Sequence, residues 1–238
     1  MTETIPKCDC GQDVDREMIE LAAMFPKILT ADKCGECMEA ANHVAEQRAT
    51  EEKRRQDEAA RVARLEMIPP EIRRTSITHK TFNAGLWVRI EGWRPSGLKW
   101  LGIYGPPGHC KTRCLGLLVK RLILDGHHVT WTTALEFQDR VDDLRSDEKG
   151  APGEARAYLK RCKSTGILVL DDIGKNTWNP SMERHLFDVI DHRKTHDLPV
   201  LWTANTHPVE ILRSGLITKD RAGALIGRLI EASKIEEV

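Results

Sequence analysis

A chain of 238 residues can bury one core of ordinary domain size with an appendage, and its length calls for no second large domain. Lys plus Arg and Asp plus Glu both number 36, so any nucleic-acid partner must be met by a local patch and not by overall charge. No apolar run approaches the roughly 20 residues of a membrane span, and the opening MTETIPKCDCGQD carries no signal-peptide core, which predicts a cytoplasmic protein with no membrane partner.

The amino-terminal stretch is marked by its thiols. CDC at 8–10 and CGEC at 34–37 supply Cys8, Cys10, Cys34 and Cys37, two close pairs with 23 residues between them. In an intracellular chain such pairs suit tetrahedral zinc, with His43 as a substitute for one thiol; the alternative is free thiols in a disordered tail. Zinc would contribute about 10 to 16 kcal/mol to a segment otherwise too small to fold. Residues 1–45 are therefore read as a zinc-binding adaptor module.

From Met38 to Ile68 there is no Gly or Pro, and the centre, TEEKRRQDEAAR, is charged on every side. Glu51 with Arg55 and Asp57 with Arg61 sit at i,i+4, each pair worth only about 0.2 to 0.5 kcal/mol, so residues 46–68 read as a charged helical linker or, alternatively, a disordered one. Pro69 and Pro70 end it. Residues 69–238 form the remaining domain.

After residue 95, apolar strands alternate with amphipathic helices, the pattern of an α/β fold whose parallel sheet is covered on both faces. Strands are expected at 99–104, 128–132, 166–170 and 199–203, and helices at about 111–125, 134–145, 153–163, 180–195 and 207–213. The first strand runs into GPPGHCKT, a glycine-containing turn, and then into a helix with Leu115, Leu118, Leu122 and Ile123 on one stripe. This is the context of a phosphate-binding loop, with one departure: Cys110 stands where G-x-x-x-x-G-K-[ST] has its last glycine.

Gly105, Pro106, Pro107, Gly108, His109, Cys110, Lys111 and Thr112 are the candidate ATP-binding residues. Backbone N–H groups from 107 to 112 are expected to wrap the phosphates, with Lys111 on the β and γ oxygens and Thr112 on magnesium. GILVLDDIG puts Asp171 and Asp172 at the carboxyl end of a buried strand, the ligand-facing edge of an open α/β sheet. Asp171 is the second candidate magnesium ligand and Asp172 the group that polarises the attacking water. LPVLWTANTHP ends another strand in Asn205, an amide able to hold that water or the γ-phosphate; Asn also closes strands as a plain turn former.

With these residues assembled, the chain resembles AAA+ ATPases of the bacterial DnaC/DnaI helicase-loader group, which includes IstB-type transposition helpers. The similarity covers about residues 66 to 235. IPPEIRRTSITHKTFNAG loosely resembles the group's lead-in, and VLDDIGKNTWNPSMERHLFDVIDHRKTHDLPVLWTANT resembles its Walker B to sensor 1 block, including Arg193. The resemblance implies ATP, Mg2+, a replicative DNA helicase and single-stranded DNA as ligands and partners. It makes Asn205 sensor 1 and makes Arg228, or secondarily Arg221, an arginine finger for a neighbouring copy, so that hydrolysis depends on homo-oligomeric assembly. The plain alternative for Arg228 is a surface arginine on an amphipathic helix. No helical lid and no sensor 2 arginine are expected.

EARAYLKRCK at 154–163 carries Arg156, Lys160, Arg161 and Lys163 on or beside one helix. A basic patch with Tyr158 as a stacking aromatic could track single-stranded DNA; a solvated helix face is the alternative. The expected function is an ATPase that loads a replicative helicase, with an IstB-like transposition helper or a nucleotide-binding adaptor of little hydrolysis as the other readings.

Overall fold

The computed structural model describes residues 7–24, 34–66, 68–80, 82–96, 100–175, 178–213 and 219–238. Lys99, the expected first strand residue, and the side chain of Arg221 lie outside the described part. The chain divides into two units, 1–60 and 61–238.

The first unit holds a short turn closed by an antiparallel bridge between Lys7 and Asp13, helix α1 (Arg16–Met24) and most of helix α2 (Gly35–Glu66). Free of Pro and internal Gly and charged all round, α2 buries no residue. Its first turn already contains Cys37, and it passes residue 45 unbroken.

The second unit opens with α3 (Pro70–Arg73) and α4 (Ala84–Ile90), then runs β1 (Trp100–Tyr104), α5 (Lys111–Leu124), β2 (Val129–Thr133), α6 (Ala134–Asp142), a 3-10 turn (Asp143–Arg145) and α7 (Ala151–Ser164). It closes with β3 (Ile167–Ile173), α8 (Pro180–Thr195), β4 (Val200–Ala204), α9 (Pro208–Arg213), α10 (Lys219–Ala232) and β5 (Ser233–Glu237). All strand pairs are parallel, in the order β2-β3-β4-β1-β5. The expected strands are present, each with its first described residue one position later than expected and β3 running three residues past its expected end, and the expected 134–145 helix finishes as the 3-10 turn. Strand β5 is an addition to the expected set, because SKIEE is too polar to read as a sheet member; it lies at the edge beside β1, where one side is open to solvent. No helical lid lies among the described residues.

Alternation along the strands sorts the core into two layers. Leu101, Ile103, Ile167, Val169 and Leu201 point to the face covered by α3, α4 and α5. Leu168, Leu170, Val200 and Trp202 point to the face covered by α6, α7, α8 and α10. One glycine is dictated by this packing: Gly102 lies opposite Trp202, and a Cβ there would sit 2.0 Å from the indole. The same indole N–H donates to Ser233 Oγ at 2.8 Å, fastening β5 across β1.

Arg193 near the end of α8 is fully buried. Its guanidinium donates to the carbonyl oxygens of Cys162, Lys163 and Thr165, to Gly166 and to Pro199, at 2.7 to 3.2 Å. It therefore satisfies the orphan carbonyls at the end of α7 and ties that helix to the starts of β3 and β4. Burial pushes the Arg193 pKa down to about 10.

Candidate functional site

Parallel strands deliver their carboxyl ends to one edge, and β1, β3 and β4 bring the phosphate loop, the aspartate pair and Asn205 together there. In the loop, Gly108 has φ 86° and Cys110 has φ 60°, ψ 23°, both left-handed. Such turns aim successive N–H groups into one concavity, continued by the unpaired first N–H groups of α5. Pro106 and Pro107 have no N–H, which corrects the expected donor run: it begins at Gly108 and continues through His109, Cys110, Lys111 and Thr112. The left-handed conformation at Cys110 is the one glycine takes freely and a residue with a Cβ takes at a cost of roughly 1 to 2 kcal/mol.

Lys111 is buried, and its Nζ donates to Gly105 O at 2.7 Å, Pro106 O at 2.8 Å and Asn205 Oδ1 at 3.1 Å. Burial pulls the ammonium below its usual pKa, opposed by the negative charges of Asp172 and Asp171. The Thr112 hydroxyl donates to Asp171 Oδ1 at 2.9 Å. Asp171 is buried, which lifts its carboxyl to about 6, against the lowering effect of hydrogen bonds from Thr203 and Thr112.

Asp172 follows in a left-handed conformation, φ 59°. The cause is a bulge: Leu170 pairs with Trp202 and Ile173 with Ala204, so Asp171 and Asp172 together face the single residue Thr203. Asp172 Oδ2 accepts from Lys175 Nζ at 3.1 Å. Pro107, Gly108, Lys111, Thr112, Asp171 and Asn205 all line one open cleft of about 530 Å³, together with Asp172 and Lys175. Thr112 and Asp171 present adjacent hard oxygen donors, and a buried carboxylate held at raised pKa is a group that a cation stabilises, so these residues fit magnesium. The N–H concavity with Lys111 fits a phosphate chain.

Arg228 is elsewhere. Two of its guanidinium nitrogens lie 2.8 Å from Asp191 Oδ1, and the group stacks 4.5 Å from the Phe187 ring centre, both on α8 of the same chain. It is absent from the lining of the phosphate cleft. Sequence reasoning missed Thr203 and Lys175. Thr203 was detectable as the polar residue in an otherwise apolar strand, two before Asn205, and Lys175 as the cation after DDIG.

The basic helix α7 divides by face. Arg156, Lys160 and Lys163 line an open groove with Arg145 of the 3-10 turn and Arg184 and His185 of α8; Asp188 is its acidic member and pairs with Lys163. Arg161 lies on another surface, beside Thr165 and Gly126. Tyr158 corrects the sequence expectation: it is buried, packs on Phe137 and donates its hydroxyl to Thr132 Oγ1 at 2.5 Å, so it cannot stack on a base. With Ala155, Leu159 and Cys162 it forms the inward stripe of α7.

In the first unit, the 7–13 turn supplies Cys8 and Cys10, while Cys34, whose carbonyl accepts from Met38 N, and Cys37 stand at the start of α2. The four Sγ atoms all lie within 4.8 Å of one another, and Cys10 and Cys34 Sγ are 3.6 Å apart. Tetrahedral Zn–S bonds of about 2.3 Å require S···S separations of about 3.8 Å, so the donor set fits zinc. Backbone N–H groups of Cys10 and Cys34 pull the Cys8 thiol down to about 6, while the neighbouring thiols push Cys37 up to about 12. One thiolate forms readily and further ones repel, a conflict that a dication resolves. His43 is exposed on α2, outside the cluster.

No family profile and no curated protein sequence matches the chain. Solved structures do. A crystal structure of DnaI is similar at TM-score 0.59 and 19% identity, covering 71% of this chain and 93% of that one. The DnaC helicase loader is similar at TM-score 0.50 and 20% identity, covering 70% and 95%. AMPPCP-bound DnaA from Aquifex aeolicus is similar at TM-score 0.53 and 15% identity, covering 72% of this chain and 51% of DnaA, so the chain spans about half the length of that protein. At these identities the likeness speaks for architecture alone: the chain carries an AAA+-like α/β fold in common with DnaI, the DnaC helicase loader and DnaA.

Proposed function

We propose that the chain is an ATP-binding and hydrolysing loader of a replicative DNA helicase, acting on single-stranded DNA, with a zinc-bound amino-terminal module that adheres to the helicase. The observation that carries the ATPase reading is the convergence of Lys111, Thr112, Asp171, Asp172 and Asn205 at one sheet edge. Thr112 and Asp171 would hold magnesium, which when bound supplies Lewis acidity at the β and γ oxygens. Lys111 neutralises the phosphate chain, Asp172 polarises water at the cleft mouth, and Asn205 orients that water once Lys111 turns to phosphate.

The likeness to the solved chains of DnaI and of the DnaC helicase loader, over nearly the whole of each of those chains, supports the loading role. The groove of Arg145, Arg156, Lys160, Lys163, Arg184 and His185 supports the DNA ligand, bound through its phosphates and without base stacking. DnaA has been solved with AMPPCP and single-stranded DNA.

The test is loading itself: full-length chain, the replicative helicase of its own cell and labelled single-stranded DNA. ATP should increase helicase–DNA complexes, and Lys111→Ala should abolish the increase. Replacing Arg156, Lys160 and Arg184 with alanine should weaken DNA binding and reduce its salt slope by about 0.7 for each phosphate no longer neutralised, whereas Arg161→Ala should not. ATP binding with no effect on loading would move the reading to a transposition helper or an adaptor. One observation favours the adaptor with little hydrolysis: Arg228, the finger candidate, is engaged by Asp191 and Phe187 of its own chain.

A further inference from the structure

Strand β4, VLWTA, is apolar except for Thr203, which is fully buried. A hydroxyl in that position must find partners, and its two partners are the candidate catalytic carboxylate residues. Thr203 Oγ1 donates to Asp171 Oδ1 at 2.6 Å and accepts the backbone N–H of Asp172 at 2.9 Å. It is also the one β4 residue that faces both aspartates across the bulge, where the regular ladder is interrupted and cannot take that N–H.

We propose that Thr203 is a positioning residue of the phosphate site, whose hydroxyl fastens the bulge and thereby holds Asp172 in its left-handed conformation while orienting Asp171. This rests on the reading of Asp171 as magnesium ligand and Asp172 as the water-polarising group. A parallel ladder without the extra residue would send Asp171 and Asp172 to opposite faces of the sheet. The bulge turns Asp172 outward, towards the mouth of the cleft, where Lys175 meets it. Removing the hydroxyl takes the Thr203 acceptor from the Asp172 N–H, leaving it only the neighbouring Asp171 carboxylate, and takes one of two hydroxyl donors from Asp171 Oδ1. Thr112 can still hold Asp171, so the principal loss falls on Asp172, hence on turnover more than on nucleotide binding.

The test compares Thr203→Val, which keeps shape, with Thr203→Ser, which keeps the hydroxyl. In the nucleotide-free full chain, amide hydrogen exchange at Asp172 should accelerate at least tenfold in Thr203→Val and stay within twofold in Thr203→Ser. With Mg-ATP, kcat should fall at least tenfold in Thr203→Val while KM changes less than threefold, and the serine variant should recover most of the rate. Equal acceleration of exchange across β1, β3 and β4, with a matching loss of thermal stability, would make Thr203 a packing residue only and overturn the proposal. So would a valine variant that turns over ATP within twofold of wild type. If wild-type protein binds but never hydrolyses ATP, the ATPase reading fails; the exchange measurement still decides whether Thr203 fastens the bulge.

Discussion

Asp171 is the residue whose cost to the fold can be separated from its use. Its carboxyl is lifted from 3.8 to about 6, chiefly by burial. Between pH 4 and 6 the folded chain therefore holds a proton that the unfolded chain has released, so unfolding free energy falls as pH rises through this window, and the penalty is complete above about pH 6. Two pKa units correspond to about 3 kcal/mol. Asp171→Asn removes the charge, and its amide oxygen can accept the same two hydroxyl hydrogens from Thr112 and Thr203. Without magnesium or nucleotide, the variant should be about 2 to 3 kcal/mol more stable than wild type at pH 7.5 and about equal at pH 4. At roughly 2 to 4 °C per kcal/mol for a domain of this size, Tm should rise by about 5 to 10 °C. Urea unfolding followed by tryptophan fluorescence reads the second unit alone, because every tryptophan lies at or beyond Trp87. Adding Mg-ATP should reverse the order, since only wild type gains linked binding energy. A variant no more stable at pH 7.5, or a gain of the same size at both pH values, would refute the assignment of buried charge to Asp171.

Cys110→Gly relieves a left-handed backbone and should leave Mg-ATP affinity unchanged or tighter, with stability raised by less than about 1 kcal/mol because glycine also gains freedom when unfolded; weaker binding in calorimetry would refute the strain. One zinc per chain is expected by elemental analysis, and Cys34→Ser should release it and expose the 7–24 segment to protease without changing tryptophan-detected melting. Metal-free protein after purification without chelator would remove the zinc reading. Arg193→Met strands five carbonyl oxygens in the core and should cost about 3 to 5 kcal/mol, with Arg193→Lys recovering less than half, because an ammonium cannot span all five; a loss under 1 kcal/mol would refute the clamp.

The features legible in the sequence were local ones. Strands β1, β3 and β4 are buried on both faces and read as continuous apolar runs, and the chemistry-bearing residues follow immediately at their carboxyl ends, so Lys111, Thr112, Asp171 and Asn205 could be placed without knowing the strand order. Tyr158 misled because four cations around it mask the inward stripe, and the stripe's direction depends on what α7 packs against. The arginine-finger role of Arg228 is what the resemblance implies; its neighbours Phe187 and Asp191 come from α8, which no local pattern brings to it.

The aspartate pair shows the boundary most clearly. From sequence, both carboxylates stand at the end of one buried strand, and nothing in the local pattern distinguishes the surroundings of Asp171 from those of Asp172, although different roles are expected of them. In the fold they are unequal. Asp171 continues the strand inward, is buried at a raised pKa and has hydroxyl donors on either side; Asp172 is rotated out by one extra residue and meets a lysine in solvent. The unequal surroundings of the two carboxylates thus go with a single bulge, at which β4 sets one threonine against two aspartates. A register defect has no signature in the residues of β3 alone; it is written jointly in β3 and β4, far apart along the chain, and becomes readable only when the two strands are paired.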